Sequence, residues 1–583
     1  MILSKLQTLM ENNNISTYII TKSDPHLSEY SNKHYNSVSF ISNFTGSNGT
    51  IVVTKHSAGL WTDARYQLQA QKQLNENFSL HIVGTPGVLD FLSYCAKNTP
   101  PNGTIAFDGK TLSAASVNNL IDLLNEDITI ISNLDLISEI WKDRPQITRN
   151  KIIPYSTKYC GLDTKEKINI VKKEIAYNNC EMCLISSIDD IAWLFNIRCI
   201  SNYNSFNFQA YATVSDEVCL FIDTIPEDSE AINNLKKDGI NIKNYEDIFK
   251  YVTNLNIKSV CLSQANVNYY LYSLFSATIF HMPFEITTKI KAIKNNIEIE
   301  NIKIANKKDS LSFIKLIKWL KDNVKKEQIT EYDVNQKLFE LRKENESFMG
   351  LSFERICGYK ENATIIHYVT KCENAKQLEE HGFLLLDSGA NYLEGTTDIT
   401  RTISLGKLSE KLQQYYTRVL KGHISLAKLK FLYGSTGHYI DIIARCPLWE
   451  VGLDYKHGTG HGIGQFNNVH EAPQSISAKS IPISLEEGML ISNEPGIYFD
   501  GEFGIRLENS ILVKKMEKTN FGQFMGFETL SLIPFDKEAI IAEMLNKEEV
   551  QWLNSYHQAV YEAHNKSLNE DEKKWLKIAT SPI

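Results

Sequence analysis

Glycine at every second position leaves a chain few choices, and this sequence has such a run at His457-Gly458-Thr459-Gly460-His461-Gly462-Ile463-Gly464. Alternating glycines do not settle into a helix; they describe extended backbone pressed against a close neighbour. Two histidines stand in the run and a third, His470, follows in FNNVHEAP. Further on, MLISNEPG and GIRLEN place Glu494 and Glu508 at the ends of apolar runs. Two familiar readings fail here. A zinc helix of the H-E-x-x-H type needs a second histidine one turn after a His-Glu pair, and His470-Glu471 has none. A dinucleotide fingerprint needs strand, tight turn and helix around its glycines, an order these lack.

Upstream, LLLDSGANYLEGTTDITRT carries Asp387 and Asp398. The pattern predicts two strands joined by a turn at 392–395, which would set the two carboxylates nearly opposite on one face of a hairpin. Like charges so placed repel unless a cation lies between them. For this pair alone, a turn cap beside a solvated carboxylate reads equally well. Taken together, Asp387, Asp398, His461, Glu494 and Glu508 form an oxygen-rich set with one imidazole. That mix suits a pair of hard or borderline divalent cations rather than a structural zinc. Carboxylates can bridge two such cations about 3.5–4 Å apart, and the chemistry that follows is hydrolysis by a shared water ionised near neutral pH. One cation polarises the scissile carbonyl and the other can anchor a free amine. Histidines outside the ligand set would stabilise the oxyanion or shuttle protons.

At 583 residues the chain exceeds one ordinary domain, and three are expected, over 1–155, 156–292 and 293–583. The first two both read helix, strand, helix, hairpin, which hints at an old duplication; a polar stretch with two prolines, WKDRPQITRNKIIP, links them. In the first, 4–13 reads as a helix, 17–21 as a strand, and FISNFTGSNGTIVVT as a hairpin about its Gly/Asn turn. In the second, KEKINIVKKEIAYNN is helical, MCLISS a strand, and FQAYATV with EVCLFID a strand pair. The third opens with a long helix, on the spacing of Ile304, Leu311, Ile314, Ile317 and Leu320, and a second helix at 331–343. Strand-like runs follow at 383–386, 399–405, 488–493 and 505–513, and the tail around KEEVQWLNSYHQAVYEAH is helical. A net charge of −8 argues against attraction to nucleic acid or anionic lipid. There is no run of about 18 apolar residues for a membrane span and no secretory pattern at the start. Ten scattered cysteines suggest no disulfide framework, so a cytoplasmic location is expected. Cys180 and Cys183 make a single C-x-x-C without a second pair at zinc spacing, which argues against a zinc or redox role.

With these residues in view, HYVT at 367, DSGANYLEGTTDITRT at 387, HGTGHGIGQFNNVHEAP at 457, NEPGIY at 493 and GIRLEN at 504 closely resemble the Xaa-Pro aminopeptidases (aminopeptidase P) of the pita-bread metallopeptidases. The long, three-domain cytosolic form matches best, since FTGSNGTIVVT, GLWTDARYQLQAQKQL, IDDIAWLFNIR and VQWLNSYH resemble it too. The resemblance implies an α/β (α+β) chain: two creatinase-N-terminal-like α/β domains, then a pita-bread catalytic domain with a helical extension. It implies that Asp387 is a ligand of one metal, that Asp398 and Glu508 bridge both, and that His461 and Glu494 complete the second. Glu494 would also handle the proton of the attacking water. His367, His457 and His470 match non-ligand histidines that contact substrate and support the tetrahedral intermediate. Arg65 matches a substrate-binding arginine of the N-terminal domain. The implied cofactor is a manganese pair, with cobalt or zinc as alternatives. The implied assembly is a homodimer that removes the first residue from peptides with proline second. One stretch departs from the family: before His367 the chain reads CGYKENATIIHY where the family has a Gly/Asn-rich loop. Rival readings are a prolidase cutting Xaa-Pro dipeptides, a creatinase-like enzyme without the metal set, and a metal-free peptide-binding protein of the same fold.

Overall fold

The computed structural model describes residues 2–199 and 208–583. Tertiary contacts divide the chain into two compact units: one holds most of the chain up to Lys289, the other Ser156–Gly161 and Ile290–Ile583.

The first unit contains two six-stranded sheets. One runs Ser79–Ile82, Ala58–Thr62, Thr50–Thr54, Thr17–Thr21, Thr104–Phe107, Thr129–Ile131. The other runs Asn241–Lys243, Val218–Ile222, Ala210–Val214, Met182–Ile185, Ser259–Leu262, Thr278–His281. In each, the strand that comes first in sequence pairs antiparallel with the second and parallel with the fifth. The hairpin beside it is antiparallel in both, and the outermost pairs are parallel. Residues on these strands alternate between two buried faces: Ile51, Val53 and Leu60 enter one core, Ile19, Val52 and Trp61 the other. That is the pattern of a sheet covered on both sides. The hairpin read at FISNFTGSNGTIVVT lies one strand later, between Thr50–Thr54 and Ala58–Thr62. Ser37–Ser42 is instead a helix ended by Asn43 in the left-handed region (φ 68°), a conformation asparagine adopts more readily than most residues.

The second unit is built of antiparallel sheets backed by helices. Its longest described helix, Asn296–Asn323, starts in a capping box between Asn295 and Glu298. The buried face of that helix runs through Ile302, Ala305, Asp309, Phe313, Leu316 and Leu320. Ile304, expected on that face, is 46% exposed, because polar Asn306, Asp309 and Ser310 occupy positions that an apolar template assigns elsewhere. This helix and the next, Glu331–Lys343, cover the sheet Ile356–Tyr359, Phe383–Asp387, Thr400–Ser404 through Phe313, Leu316, Val334 and Leu338 against Leu384, Leu386 and Ile403. The helices Glu410–Ala427 and Gly437–Trp449 cover a six-stranded sheet through Leu426, Ile440 and Ala444 against Ile491, Ile511 and Val513.

Two hairpins of this unit bend in mid-course. The run expected as one strand over 505–513 is two: Phe503–Arg506 pairs with Gly496–Phe499, then Asn509–Thr519 pairs with Leu490–Asn493. The chain changes partners at Leu507-Glu508, opposite Glu494-Pro495, so both glutamates occupy one bend. The other hairpin, Phe383–Asp387 with Thr400–Ser404, continues past a break as Ala390–Tyr392 with Gly395–Thr396 in a separate sheet. Asp387 and Asp398 border that break.

Gly460 shows how tightly the glycine run is pressed: a Cβ there would lie 1.9 Å from the Ser492 carbonyl oxygen. Gly460→Ala is therefore expected to destabilise the second unit by about 3 kcal/mol, read as a lowered melting temperature in calorimetry.

Candidate metal centre

Each bend delivers two carboxylates, and the glycine strand delivers the imidazole. Asp387 ends its strand opposite Thr400 rather than Asp398, so the aspartates are two residues from directly opposed. The two-residue turn at Leu393-Glu394 sets that register, and an even offset keeps both carboxylates on one face. His461 lies in the strand Gly460–Gly462 and donates its N–H to Ser492 Oγ at 3.0 Å. The Glu494 N–H donates to the Thr459 carbonyl at 2.8 Å, and the Glu508 N–H to that of Thr400 at 3.1 Å.

Side-chain donors of Asp398, His461 and Glu508 all lie within 4.8 Å of one another. His461 Nε2 is 3.3 Å from Asp398 Oδ2 and 3.6 Å from Glu494 Oε1. Asp387 feels the charges of both Asp398 and Glu494. Burial, opposed by Arg506 and helped by the charge of Asp398, lifts the Asp387 carboxyl to about 6. Glu508 is pushed well above the usual carboxylate range by burial and then by Asp398 and Glu494; Glu494 is raised chiefly by burial. Burial disfavours the His461 imidazolium, but its hydrogen bond to Asp398 and the charge of Glu494 outweigh this and hold it at about 9. Asp387 Oδ1 is buried with no hydrogen-bond partner among the described residues, a costly condition for a carboxylate oxygen without a cation. Asp398, His461 and Glu508 thus form one cluster, Glu494 meets it through His461 and Asp387 lies within its field; the chemistry of these donors fits divalent cations.

The histidines outside this set differ in setting. His457 is buried, and its ring is fixed at both nitrogens: Nδ1 lies 2.7 Å from the Gly458 carbonyl and Nε2 2.9 Å from the Tyr498 hydroxyl. Burial, then nearby Arg506, holds it well below the usual histidine range, so the neutral ring donates through Nδ1 and accepts from Tyr498. The His470 ring stands edge-on to His461, with centroids 4.3 Å apart. His367 follows the 3-10 turn Lys360–Thr364, in the segment that departs from the family pattern. Glu331 gathers that segment, accepting from the N–H groups of Tyr359 (2.6 Å) and Lys376 (2.8 Å) and the Asn362 amide (3.0 Å). Arg65 belongs to the first unit, in the turn Ala64–Tyr66, where Nε and one terminal nitrogen each donate to Asp63 at 2.9 Å.

Sequence reading passed over Arg506 and Tyr498. Arg506 is 2% exposed and donates to Asp387 Oδ2 and, at 2.7 Å, to the Tyr498 hydroxyl. The signal was present: in extended backbone Arg506 shares a face with Glu508, two residues on.

Residues 300–515 match metallopeptidase family M24, 2–140 and 143–298 each match a creatinase/prolidase N-terminal domain, and 523–583 match the C-terminal region of peptidase M24. Aminopeptidase P2 of Arabidopsis thaliana is 36% identical, over 98% of this chain and 86% of its own length. Xaa-Pro aminopeptidase 1 of Dictyostelium discoideum is 35% identical over 99% and 96%. The chain belongs to the Xaa-Pro aminopeptidase family. An X-prolyl aminopeptidase of Caenorhabditis elegans, described as a cytosolic enzyme with a di-nuclear active site, superposes on this family member with a TM-score of 0.95 at 28% identity, over 100% and 99% of the two chains. The Xaa-Pro dipeptidase of Bacillus anthracis, 24% identical with a TM-score of 0.52, shares the fold over 64% of this chain and 99% of its own.

Replacing one oxygen at the centre of the cluster tests the ligand set. Asp398→Asn is expected to leave the protein folded and to abolish binding of the cation pair, as seen by elemental analysis after dialysis against metal, because a neutral amide bridges cations poorly.

Proposed function

We propose that this chain is a dinuclear metallo-aminopeptidase that releases the first residue of peptides whose second residue is proline. The observation that carries this is end-to-end likeness to Xaa-Pro aminopeptidases, both N-terminal domains included, around a converged set of five metal-type donors. Asp387, Asp398, His461, Glu494 and Glu508 would hold two divalent cations, with Asp398 and Glu508 central to the cluster. Manganese is the assigned metal; cobalt and zinc suit the same donors, and supply in the cell decides among them. When bound, such a pair acidifies a shared water and polarises the scissile carbonyl. Glu494 receives the proton of the attacking water. Arg506 offsets the negative charge around Asp387 and, through Tyr498, orients His457. His457, His470 and His367 contact the substrate and steady the oxyanion; for His457 this requires its bond to Tyr498 to open. Arg65 contributes to substrate binding.

We also assign a homodimer. On the helix Gly437–Trp449, Tyr439 (76% exposed), Ile442 (45%) and Trp449 (48%) form an apolar stripe at helical spacing, extended by Val451 (43%). Large apolar side chains left exposed along one helix suit an interface, and a second copy of the chain is its proposed occupant. No described helix is long and apolar enough to cross a membrane, and a cytoplasmic location is part of this reading.

Incubation with Mn2+ and Arg-Pro-Pro is expected to release free arginine; hydrolysis confined to Xaa-Pro dipeptides would mark a prolidase, and no turnover with any divalent metal a binding protein. His457→Ala is expected to keep its metal content and lose about 100-fold in kcat; loss of metal would instead make His457 a ligand. Ile442→Asp is expected to convert dimer to monomer in sedimentation velocity.

A further inference from the structure

Asp309, on Asn296–Asn323, and Arg342, on Glu331–Lys343, form a buried ion pair with side chains 0% and 1% exposed. Arg342 Nε donates to Asp309 Oδ1 at 2.7 Å and a terminal nitrogen to Oδ2 at 2.9 Å. Taking both charges out of water is costly, and apolar side chains of similar volume commonly hold helices together as well or better. Helix packing alone therefore gives no reason for the pair.

What it does that apolar side chains cannot is reach both strands of the bend that carries Asp387 and Asp398. Arg342 donates to Ser388 Oγ at 2.6 Å, to the Ser388 carbonyl at 3.1 Å and to the Gly389 carbonyl at 3.2 Å. Asp309 accepts from Thr397 Oγ1 at 2.6 Å and from the Tyr392 hydroxyl at 3.1 Å. Thr397 Oγ1 in turn accepts from the Ala390 N–H at 2.9 Å. Next to Asp309, Lys308 holds Glu394 in the turn at 2.8 Å. Ser388 directly follows Asp387, and Thr397 directly precedes Asp398. Across the bend the backbone keeps two ties, from the Ser388 N–H to the Ile399 carbonyl at 3.0 Å and from the Thr397 N–H to the Ala390 carbonyl at 2.8 Å, while repulsion between the two carboxylates works to open it; the ion pair adds side-chain ties on both strands.

We infer that the Asp309–Arg342 pair is a positioning device for the cation site: it sets the spacing of Asp387 and Asp398 through Ser388 and Thr397. This rests on those aspartates being ligands. The test is calorimetric titration of the metal-free full-length protein with Mn2+. Thr397→Val and Ser388→Ala each remove one hydroxyl from the network and leave the ion pair in place. Both are expected to weaken Mn2+ binding about 10-fold or more, the scale typical of groups that orient metal ligands, with little change in the melting temperature of the metal-free protein. Thr397→Ser, which keeps the hydroxyl, is expected to restore binding to within about two-fold of the parent. If Thr397→Val and Ser388→Ala bind Mn2+ like the parent while melting earlier, or if serine fails to rescue, the pair serves the fold alone and the inference is wrong. Asp398→Asn separates the two levels: parent-like binding by that variant would overturn the ligand assignment itself.

Discussion

Mutual repulsion among buried carboxylates is the constraint on which the rest of the catalytic unit depends. Asp398 and Glu508 offer oxygens within 4.8 Å of each other, where two unit charges repel by roughly 3–4 kcal/mol at an effective dielectric of 20. Asp387 and Glu494 add to the same field. Net folding stability is about 5–15 kcal/mol, so a fold that gathers four such groups concedes much of its margin unless positive charge joins them. Arg506 and His461 supply part of that charge from the chain. Divalent cations complete the balance, and the same concentration of charge is what suits the cluster to ionise a water.

The geometry that gathers the carboxylates is a bend repeated in two hairpins. In a regular ladder, side chains leave the sheet perpendicular to it, and neighbouring carboxylates spread along its face. Where the chain changes partners, at Glu494-Pro495 opposite Leu507-Glu508 and between Asp387 and Asp398, the backbone turns and two side chains from one hairpin aim at a common point. The glycine run lets His461 approach from a third direction, since Gly460 lies too close to the Ser492 carbonyl to carry a side chain.

Legibility in the sequence followed the same physics. Periodicity identified elements held by apolar faces: the helix Glu331–Lys343 and the strand Thr17–Thr21 were read with their observed bounds. The cluster of Asp398, His461 and Glu508 was legible because Asp, Glu and His among glycines and strand ends have few structural uses. Breaks in strands were not legible. IRLENSILV reads as one continuous strand, and only the switch from the Gly496–Phe499 partner to Leu490–Asn493 shows where it parts. The turn at 392–395 was read where it lies, closed by Tyr392 opposite Gly395, and it places Asp387 opposite Thr400, two residues from Asp398. On Asn296–Asn323 the expected face holds at Ile314, Ile317 and Leu320 and fails at Ile304, while buried Asp309 was missed because a template built on hydrophobicity sees an aspartate as surface.

The same blindness hid the arginines, and their placement follows from the bends. Strands that break beside the carboxylates leave some backbone carbonyls, Ser388 among them, without ladder partners, and buried carbonyls need donors. A guanidinium offers five in a fixed plane. Arg342 serves Ser388 and Gly389 beside Asp387. Arg401 donates to the Glu508 carbonyl at 2.6 Å and to the Asn509 side chain at 2.8 Å, where His423 also packs, accepting from the Asn509 amide at 3.1 Å. Arg445, paired with Asp441, donates to the His457 carbonyl at 2.9 Å, while Asp441 accepts from Thr459 Oγ1 at 2.6 Å. Arg506 reaches Asp387 itself. Each is at most 4% exposed, so each bears a desolvation cost that only a specific arrangement repays. Lysine, with a compact charge and three donors on a flexible stem, could not serve two carbonyls and a carboxylate from one position. The bends that aim the ligands and the arginines that hold the bends therefore belong to one solution: the first creates unpaired carbonyls and concentrated negative charge, and the second satisfies both.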